Sequence, residues 1–501
     1  MTLGEIRKVA VEGDRVELDP AARQRVAESR EVVEHILARH ETVYGINTGF
    51  GRLADVRISD ENLAKLQLNL VRSHAVGVGE PLSEEETRAM MLLRANVLAQ
   101  GHSGARPDVL DKLLEFINAR IHPVIPARGS VGASGDLAPL AHLAQALIGE
   151  GECWFEGQTK PTLEVLQSHK VAPITLEAKE GLALLNGTQA IGAVGGLALI
   201  RALRCVHVAD VIGAMTLEAL LGTPAAFDPR IHIARRHPGQ IASAEHLIKL
   251  MEGSEIRESH IEGDTRVQDA YCLRCMPQVH GSARMALAHV QQILEAETGA
   301  ATDNPLVFVD TDEVISGGNF HGAPLAHALD YAAIVLTDLL SISERRMDRL
   351  VNPDSSEGLP PFLTRHAGTG SGFMMAHVTV AALLNECKVL SHPASVDSVP
   401  TSGGKEDHVS MGMTSALKFR SIVENVERGL AIELLAACEG IEFRRPLRAG
   451  QHVERAHDAV REIAESVDED RSLAPDIEAV AKALREGKFD SNLEQIWQLV
   501  R

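Results

Sequence analysis

Aromatic residues are scarce in this chain. They make up 3% of its 501 residues, with 2 Trp and 3 Tyr. The core must therefore be built from aliphatic side chains, and the Ala- and Leu-rich stretches that supply them favour helices. A chain of this length can bury a large core and can form two or three domains.

Cysteines are also few. Six cysteines scattered over 501 residues fit a reducing compartment better than a disulfide framework, which predicts a cytoplasmic protein. Cys272 and Cys275 lack the second pair that a structural zinc site needs, and His232 and His237 are five residues apart, off a common helix face. With no His-Glu-x-x-His motif present, we predict that the protein holds no metal.

Positive charge is in short supply, and the formal net charge is −20. Such a chain repels phosphates, which argues against nucleic acid or an anionic membrane as a partner. The chain begins without the apolar region of a signal peptide. Its longest nearly uncharged run, residues 187–200, is too short to span a bilayer before Arg201 interrupts it.

Long apolar runs, by contrast, are plentiful beyond residue 180. Helices that are apolar on nearly every face lie in a large core or an oligomer interface, and five of them together indicate a helical bundle. The composition changes near residue 200. The predicted fold is therefore mainly α, with a smaller mixed α/β N-terminal domain (1–200) and a long-helix bundle domain (201–501). The five predicted helices cover residues 187–222, 276–298, 324–351, 372–391 and 409–443.

The N-terminal domain gives weaker signals. Residues 1–20 alternate weakly, which predicts a short strand pair or an arm. Ser83 and Glu86 form a capping-box pattern that starts a helix ending near residue 100. Residues 151–180 predict an irregular segment with a strand or two. Further helices are predicted from Pro20 onward and over residues 63–71 and 107–118.

The sequence Ala133-Ser134-Gly135 combines three small residues that leave the backbone free to fold back on itself. The amide nitrogen of Gly135 can then attack the carbonyl carbon of Ala133 and close a five-membered ring. Loss of water from the ring and from Ser134 would leave an exposed, electrophilic methylidene carbon. The alternative is a flexible glycine loop that enters a helix, with Asp136 as its N-cap.

Polar clusters interrupt the apolar runs, and each has a structural alternative. Tyr44 lies on a glycine-rich loop and either faces a cavity or packs on the core. Asn186 lines a site or caps the following helix. Arg274 grips a carboxylate or forms a buried ion pair.

In their order and their residues, these clusters resemble the signature of the aromatic amino acid ammonia-lyases, the family of the histidine and phenylalanine ammonia-lyases. The resemblance runs from Tyr44 to about His408. Its motifs are Tyr-Gly-Ile-Asn-Thr-Gly-Phe-Gly, Gly-Ser-Val-Gly-Ala-Ser-Gly-Asp, Leu-Leu-Asn-Gly-Thr-Gln, Val-Gln-Asp-x-Tyr-x-Leu-Arg-Cys, Thr-Asp-Asn-Pro, Gly-Gly-Asn-Phe-His and Glu-Asp-His-Val-Ser-Met-Gly.

The resemblance implies a methylidene-imidazolone prosthetic group formed by the chain itself from Ala133-Ser134-Gly135, with no external cofactor. It implies that the amine of a small amino acid adds to this group, that a base removes a β-hydrogen, and that ammonia leaves an unsaturated acid. It also implies a homotetramer whose subunits share active sites. The implied roles are Tyr44 as the base, Tyr271 and Glu406 as its competitors, Arg274 as the carboxylate clamp, and Asn186, Gln268 and Phe320 as pocket residues.

Two further positions bear on the substrate. Ser73-His74 is similar to the pattern of the histidine-specific members, and Glu406 is similar to the acidic residue that this pattern pairs with an imidazole. This implies histidine as the substrate and urocanate as the product, with His74 binding the substrate. Lys405 departs from that pattern, which usually has Gln there, and keeps a tyrosine or phenylalanine lyase or an aromatic aminomutase open.

Overall fold

The computed structural model describes residues 1–264 and 266–490. It forms two compact units, which are described separately. The first unit comprises Met1–Leu197, Gln291–Asp330 and Pro393–Leu417. The second unit comprises Ala198–Val290, Tyr331–His392 and the described residues from Lys418 onward. The domain boundary at residue 200 stays a prediction, and residues 491–501 of the predicted bundle domain lie outside the described residues.

The mainly helical fold is confirmed, and the long helices lie close to their predicted bounds. They are Gln189–Ala219, Met276–Thr298, Ala323–Val351, Met374–Leu390 and Gly412–Glu442. In the described part of the chain, two of them, Gln189–Ala219 and Ala323–Val351, are long and apolar enough to cross a membrane. Since 94% and 61% of their most apolar windows are buried inside the protein, they have the character of core helices.

Residues 3–10 form a helix, so the prediction of strands or an arm at the N-terminus is wrong. Thr2 and Glu5 make a capping box: the Glu5 N–H donates to Thr2 Oγ1 at 3.3 Å, and the Thr2 N–H donates to Glu5 Oε2 at 2.7 Å. Leu3, Ile6 and Ala10 are buried on one face. The helical spacing of these apolar residues outweighs the weak alternation of the segment.

The other helices predicted in the first unit are present as Pro20–Ala38, Leu63–His74, Glu84–Ala99 and Pro107–Ala119. The predicted capping box is confirmed, since the Glu86 N–H donates to Ser83 Oγ at 3.1 Å. Further helices in this unit are Leu137–Leu147, Thr162–His169 and Glu180–Leu185. Those in the second unit are Pro229–Arg235, Pro238–Leu250, Glu255–Glu258, Tyr271–Arg274, Gln451–Arg461 and Ala474–Glu486. Short 3-10 turns cover Gly51–Leu53, Asp60–Asn62, Pro224–Phe227, Val309–Thr311, Pro361–Leu363 and Ser402–Gly404.

The strands of the described chain are short, antiparallel and confined to the first unit. Val78–Pro81 pairs with Pro126–Arg128, and Leu306–Phe308 pairs with Glu313–Ile315. Glu152–Phe155 lies between His122–Pro123 and Gln158–Pro161. The hairpin within residues 152–161 confirms the strands predicted in the irregular segment.

Candidate active site

The Ala133-Ser134-Gly135 tripeptide lies in a tight loop just before helix Leu137–Leu147. Gly135 has a φ of +80°, and a Cβ at this position would lie 2.3 Å from the carbonyl oxygen of Gly187. The N–H of Asp136 donates to that same oxygen at 2.7 Å. Only glycine permits this approach. The residue whose nitrogen would close the ring is therefore held against a second backbone segment.

Ser134 and Glu406 are in direct contact. The Ser134 hydroxyl donates to Glu406 Oε1 at 2.5 Å, a short charge-assisted hydrogen bond. Thr401 Oγ1 donates to the other carboxylate oxygen at 2.7 Å, and the Thr401 N–H donates to the Glu406 carbonyl at 2.8 Å. The carboxylate is thus fixed in one orientation beside the side chain that would lose its oxygen.

Tyr44 lies near the same carboxylate on a loop anchored by the fully buried Ile46. The edge of its ring faces Phe50, with centroids 6.4 Å apart. Burial raises the pKa of Tyr44, and the negative charge of Glu406 raises it further. A basic Tyr44 would need a lowered pKa, so the effect of burial and of Glu406 on this pKa is opposite to the one that the role requires.

His74 is the last residue of helix Leu63–His74. The charge of Glu406 acts on it and partly offsets the lowering of its pKa by burial. Its Nδ1 lies 2.9 Å from the carbonyl oxygen of Leu70, which can only accept. Nδ1 therefore carries the proton, and burial lowers the pKa of His74 and favours the neutral ring. In that form Nε2 is a hydrogen-bond acceptor.

Asp136 occupies the N-cap position of helix Leu137–Leu147, but its side chain makes no hydrogen bond to that helix. The alternative of a loop with Asp136 as N-cap holds for its position only, because its carboxylate accepts from other partners. The N–H of Ile191 donates to Oδ2 at 2.8 Å, in the first turn of helix Gln189–Ala219, and Ser130 Oγ donates to Oδ1 at 2.8 Å. Complete burial raises the pKa of Asp136 to about 7.

Asn186 follows helix Glu180–Leu185 as its C-cap, directly before Gly187. Its Nδ2 donates to the carbonyl of Asn304 at 3.2 Å. Among the described residues its buried Oδ1 has no hydrogen-bond partner, and it is therefore available to accept one from a ligand. The N-cap alternative does not apply, since Asn186 is a C-cap, and the pocket role stays a prediction.

Phe320 is half-buried in a turn that reaches the tripeptide loop through its neighbours. The N–H of Gly322 donates to the carbonyl of Gly132 at 3.4 Å, and His321 Nε2 lies 3.2 Å from the carbonyl of His408. The turn thus joins the tripeptide loop to the segment that follows Glu406.

A buried charged cluster beneath this region was not predicted from the sequence. Arg94 is fully buried and donates to the carbonyl of Asn186 at 2.6 Å. Asp303 Oδ2 lies 3.9 Å from Arg94 Nη2 and 3.5 Å from the Nζ of the fully buried Lys179. Burial lowers the pKa of Arg94 to about 10 and also lowers that of Lys179. The Thr-Asp-Asn-Pro motif, with its acidic residue among apolar runs, is the sequence signal that could have revealed the cluster.

The remaining predicted residues, Gln268, Tyr271 and Arg274, share one segment of the second unit. Gln268 is exposed, and Tyr271 is 71% exposed. The guanidinium of Arg274 lies 4.5 Å from the centroid of the Tyr271 ring. In the first unit, by comparison, Ser134 donates a hydrogen bond to Glu406, and the charge of this carboxylate acts on both Tyr44 and His74.

In the part of the chain that the structure describes, one group of side chains has a metal-like spacing. The ligand atoms of Glu454, His457 and Asp458 lie within 4.8 Å of one another. Glu454 also pairs with Arg445 at 2.7 Å, and His457 Nε2 lies 2.8 Å from Glu442. These partners account for the cluster as ion pairing, and the absence of a metal stays a prediction.

Similarity to known proteins identifies the family of the chain. A model of the aromatic amino acid lyase family matches residues 1–462. The chain belongs to this family. As an aromatic amino acid lyase it is an enzyme that acts on a small amino acid, in agreement with the resemblance seen in its motifs.

Its relatives cover almost its whole length. The chain is 55% identical over 498 residues to a histidine ammonia-lyase of Anaeromyxobacter sp. (strain K), covering 98% of each chain. It matches the crystal structure of histidine ammonia-lyase from Trypanosoma cruzi with a TM-score of 0.91 and 45% identity, covering 100% of this chain and 94% of that one. It matches a tyrosine aminomutase from Streptomyces globisporus with a TM-score of 0.93 and 37% identity, covering 99% and 97%.

Proposed function

We propose that this lyase converts L-histidine to urocanate and ammonia without an external cofactor. The observation that carries the proposal is the contact between Ser134, at the centre of the tripeptide, and Glu406, with Tyr44 and His74 beside the same carboxylate. Relatives that share half of its residues over nearly the whole chain are histidine ammonia-lyases.

The proposed prosthetic group is a methylidene-imidazolone made from Ala133-Ser134-Gly135. The residues fit it, because the space that a Cβ at Gly135 would need is taken by Gly187, and the hydroxyl that must leave already has a hydrogen-bond partner. Asn186, with its buried free acceptor, lies next to Gly187 and lines the group. Once formed, the group would supply an electrophilic carbon for the substrate nitrogen and would so make that nitrogen a better leaving group.

Proton transfer falls to Tyr44, with Glu406 and Tyr271 as alternative bases. Without a ligand, burial and Glu406 keep Tyr44 a neutral phenol. A substrate ammonium group in the same space would lower the pKa of Tyr44, because an opposite charge favours the phenolate. In this proposal Tyr44 becomes basic when the substrate arrives. Arg274 binds the substrate carboxylate, and Gln268 and Phe320 line the pocket.

Selectivity for histidine rests on His74 and Glu406. His74 Nε2 accepts from one imidazole nitrogen, and the carboxylate of Glu406 serves the other. A phenyl or phenol ring would leave these groups without partners, which a buried site penalises. Lys405, the residue that departs from the histidine pattern, is exposed whereas Glu406 is half-buried. We infer that Lys405 lies in solvent and leaves Glu406 free to act on the substrate.

The test is an ultraviolet assay of the purified enzyme with histidine, tyrosine and phenylalanine in parallel. We expect urocanate from histidine to form fastest, and the Ser134→Ala enzyme provides the blank. Faster formation of coumarate from tyrosine, or the appearance of β-tyrosine, would overturn the assignment to histidine and favour the tyrosine lyase or aminomutase alternative.

We also propose a homotetramer with shared active sites, located in the cytoplasm and binding neither nucleic acid nor membrane. Its support is the apolar composition of helix Met374–Leu390, whose Met374, Met375, Val378 and Val389 are exposed in the single chain. Light scattering tests the assembly. The sharing of active sites between subunits is tested by refolding Ser134→Ala and Tyr271→Phe chains together. Mixed tetramers regain activity only if the two residues act in one site and come from different subunits.

A further inference from the structure

Ser410 belongs to the Glu-Asp-His-Val-Ser-Met-Gly motif, but the proposed reaction gives it no role. It is 4% exposed and lies four residues after Glu406. Its hydroxyl donates to the carbonyl of Gly132 at 3.0 Å and accepts from the N–H of Gly412 at 3.2 Å. Next to it, the N–H of Met411 donates to the carbonyl of Val131 at 2.9 Å. The chain thus holds the entry to the tripeptide loop through two adjacent residues.

The packing around this hydroxyl is tight. A Cβ at Gly132 would lie 2.2 Å from Ser410 Oγ, and one at Gly322 would lie 3.0 Å from it. Gly132 and Met411 both have positive φ, at +66° and +57°. For Met411 this is an unfavourable conformation that surrounding contacts must maintain. The arrangement therefore specifies one backbone path on both sides of the contact.

The other end of the loop is held as well. The N–H of Asp136 donates to the carbonyl of Gly187 at 2.7 Å, and Ser130 Oγ donates to the Asp136 carboxylate. Between the two fixed ends lie only Ala133 and Ser134, together with Gly135. Holding the ends of a short segment reduces the entropy that ring closure must otherwise overcome.

We propose that Ser410 is a positioning residue for the self-processing of the tripeptide, acting through the Gly132 carbonyl. The inference rests on the proposed prosthetic group. In the reaction, a bond forms between the Gly135 nitrogen and the Ala133 carbonyl carbon. The Ala133 oxygen leaves as water with the amide hydrogens of Gly135 and Ser134. The Ser134 hydroxyl leaves as a second water with the hydrogen on its Cα. The chain itself supplies every atom, and no oxidant or reductant is needed.

The experiment follows the mass of the full chain after cell-free synthesis. In the wild type, the peptide that contains residues 133–135 becomes two waters lighter. In Ser410→Ala we expect this loss to be about tenfold slower, the scale of one lost buried hydrogen bond. The matched control is Ser83→Ala, which removes an N-cap from helix Glu84–Ala99 in the same unit. It should lower the melting temperature without slowing the mass change.

The outcomes distinguish the positioning role of Ser410 from the formation of the prosthetic group itself. If Ser410→Ala processes as fast as the wild type, or if both variants slow equally, the positioning role is overturned. If Ser410→Ala does not fold, Ser410→Cys keeps the shape of the side chain at a slightly larger volume and has a weaker donor. Wild-type processing in that variant would also overturn the positioning role. A wild-type chain that never loses two waters contradicts the prosthetic group itself, which is a different failure.

Discussion

Glu406 accepts a hydrogen bond from Ser134, although 272 residues separate them in the sequence. The contact joins the tripeptide to the residue that the histidine-specific pattern pairs with an imidazole. One carboxylate therefore binds the serine hydroxyl before processing, and its charge also acts on Tyr44 and His74. The proposed chemistry of the site depends on this contact.

The mature enzyme should be two waters lighter than its sequence, and Ser134→Ala should not show this loss of two waters. Because alanine has no hydroxyl to lose, the electrophile cannot form, and we expect kcat to fall roughly 10³-fold or more. Intact-mass and peptide-mass measurements test the modification, and circular dichroism tests the fold. An active enzyme with unmodified mass would contradict the prediction.

His74→Leu should change substrate preference. The imidazole of histidine would lose an acceptor, so kcat/KM for histidine should fall roughly tenfold or more, while phenylalanine and tyrosine enter more easily. His169→Leu is the matched control. His169 follows Ser168 and bonds a carbonyl four residues back at 2.9 Å, as His74 does after Ser73. Equal losses in both variants would show that the effect is on the helix end and not on the substrate.

The titration of Tyr44 tests the electrostatics of the site. We expect its pKa to lie above the usual value near 10, because burial and the charge of Glu406 both favour the neutral phenol. With only 3 tyrosines in the chain, phenolate absorbance in the Ser134→Ala background, with and without Tyr44→Phe, isolates this group.

Glu406→Gln removes the negative charge and should lower the pKa of Tyr44, whereas Glu150→Gln, at an exposed ion pair with Arg72, should leave it unchanged. A pKa of 10 or below in the unsubstituted site would contradict the assignment. So would a value that Glu406→Gln does not move.

Much of this architecture could be predicted from the sequence. The apolar runs predicted the long helices because a helix that is buried all round needs no polar face, and the capping pattern at Ser83 marked a helix start. The helix after Thr2 could not be separated from a strand, because eight residues give only a weak periodicity. One partner of the Asp136 carboxylate, Ile191, lies more than 50 residues away in the sequence, and no local pattern predicts such a contact.

The buried charged cluster also depends on contacts between residues that are distant in the sequence. Arg94 lies within helix Glu84–Ala99, and Lys179 directly precedes helix Glu180–Leu185. Long cationic side chains are normally expected at the surface, so neither position predicts a buried charge. Only the folded chain places Asp303 between them. The direction of the Tyr44 pKa shift was likewise not predictable, because it depends on how deeply the ring is buried and on which charge lies beside it.

Asp303→Asn should therefore destabilise the protein strongly. It removes the carboxylate that lies 3.5 Å from Lys179 and 3.9 Å from Arg94, and it leaves two cations in a site with no solvent access. Breaking a buried ion pair by removing one partner costs about 3–5 kcal/mol. The control Glu150→Gln breaks an exposed pair and should cost at most about 1 kcal/mol. Urea unfolding measures the free energy of unfolding of both variants.

Adding Lys179→Met to Asp303→Asn should recover part of the lost stability, because it removes one of the unpaired charges. A double variant less stable than Asp303→Asn alone, or an Asp303→Asn chain as stable as Glu150→Gln, would show that the cluster is not held by charge.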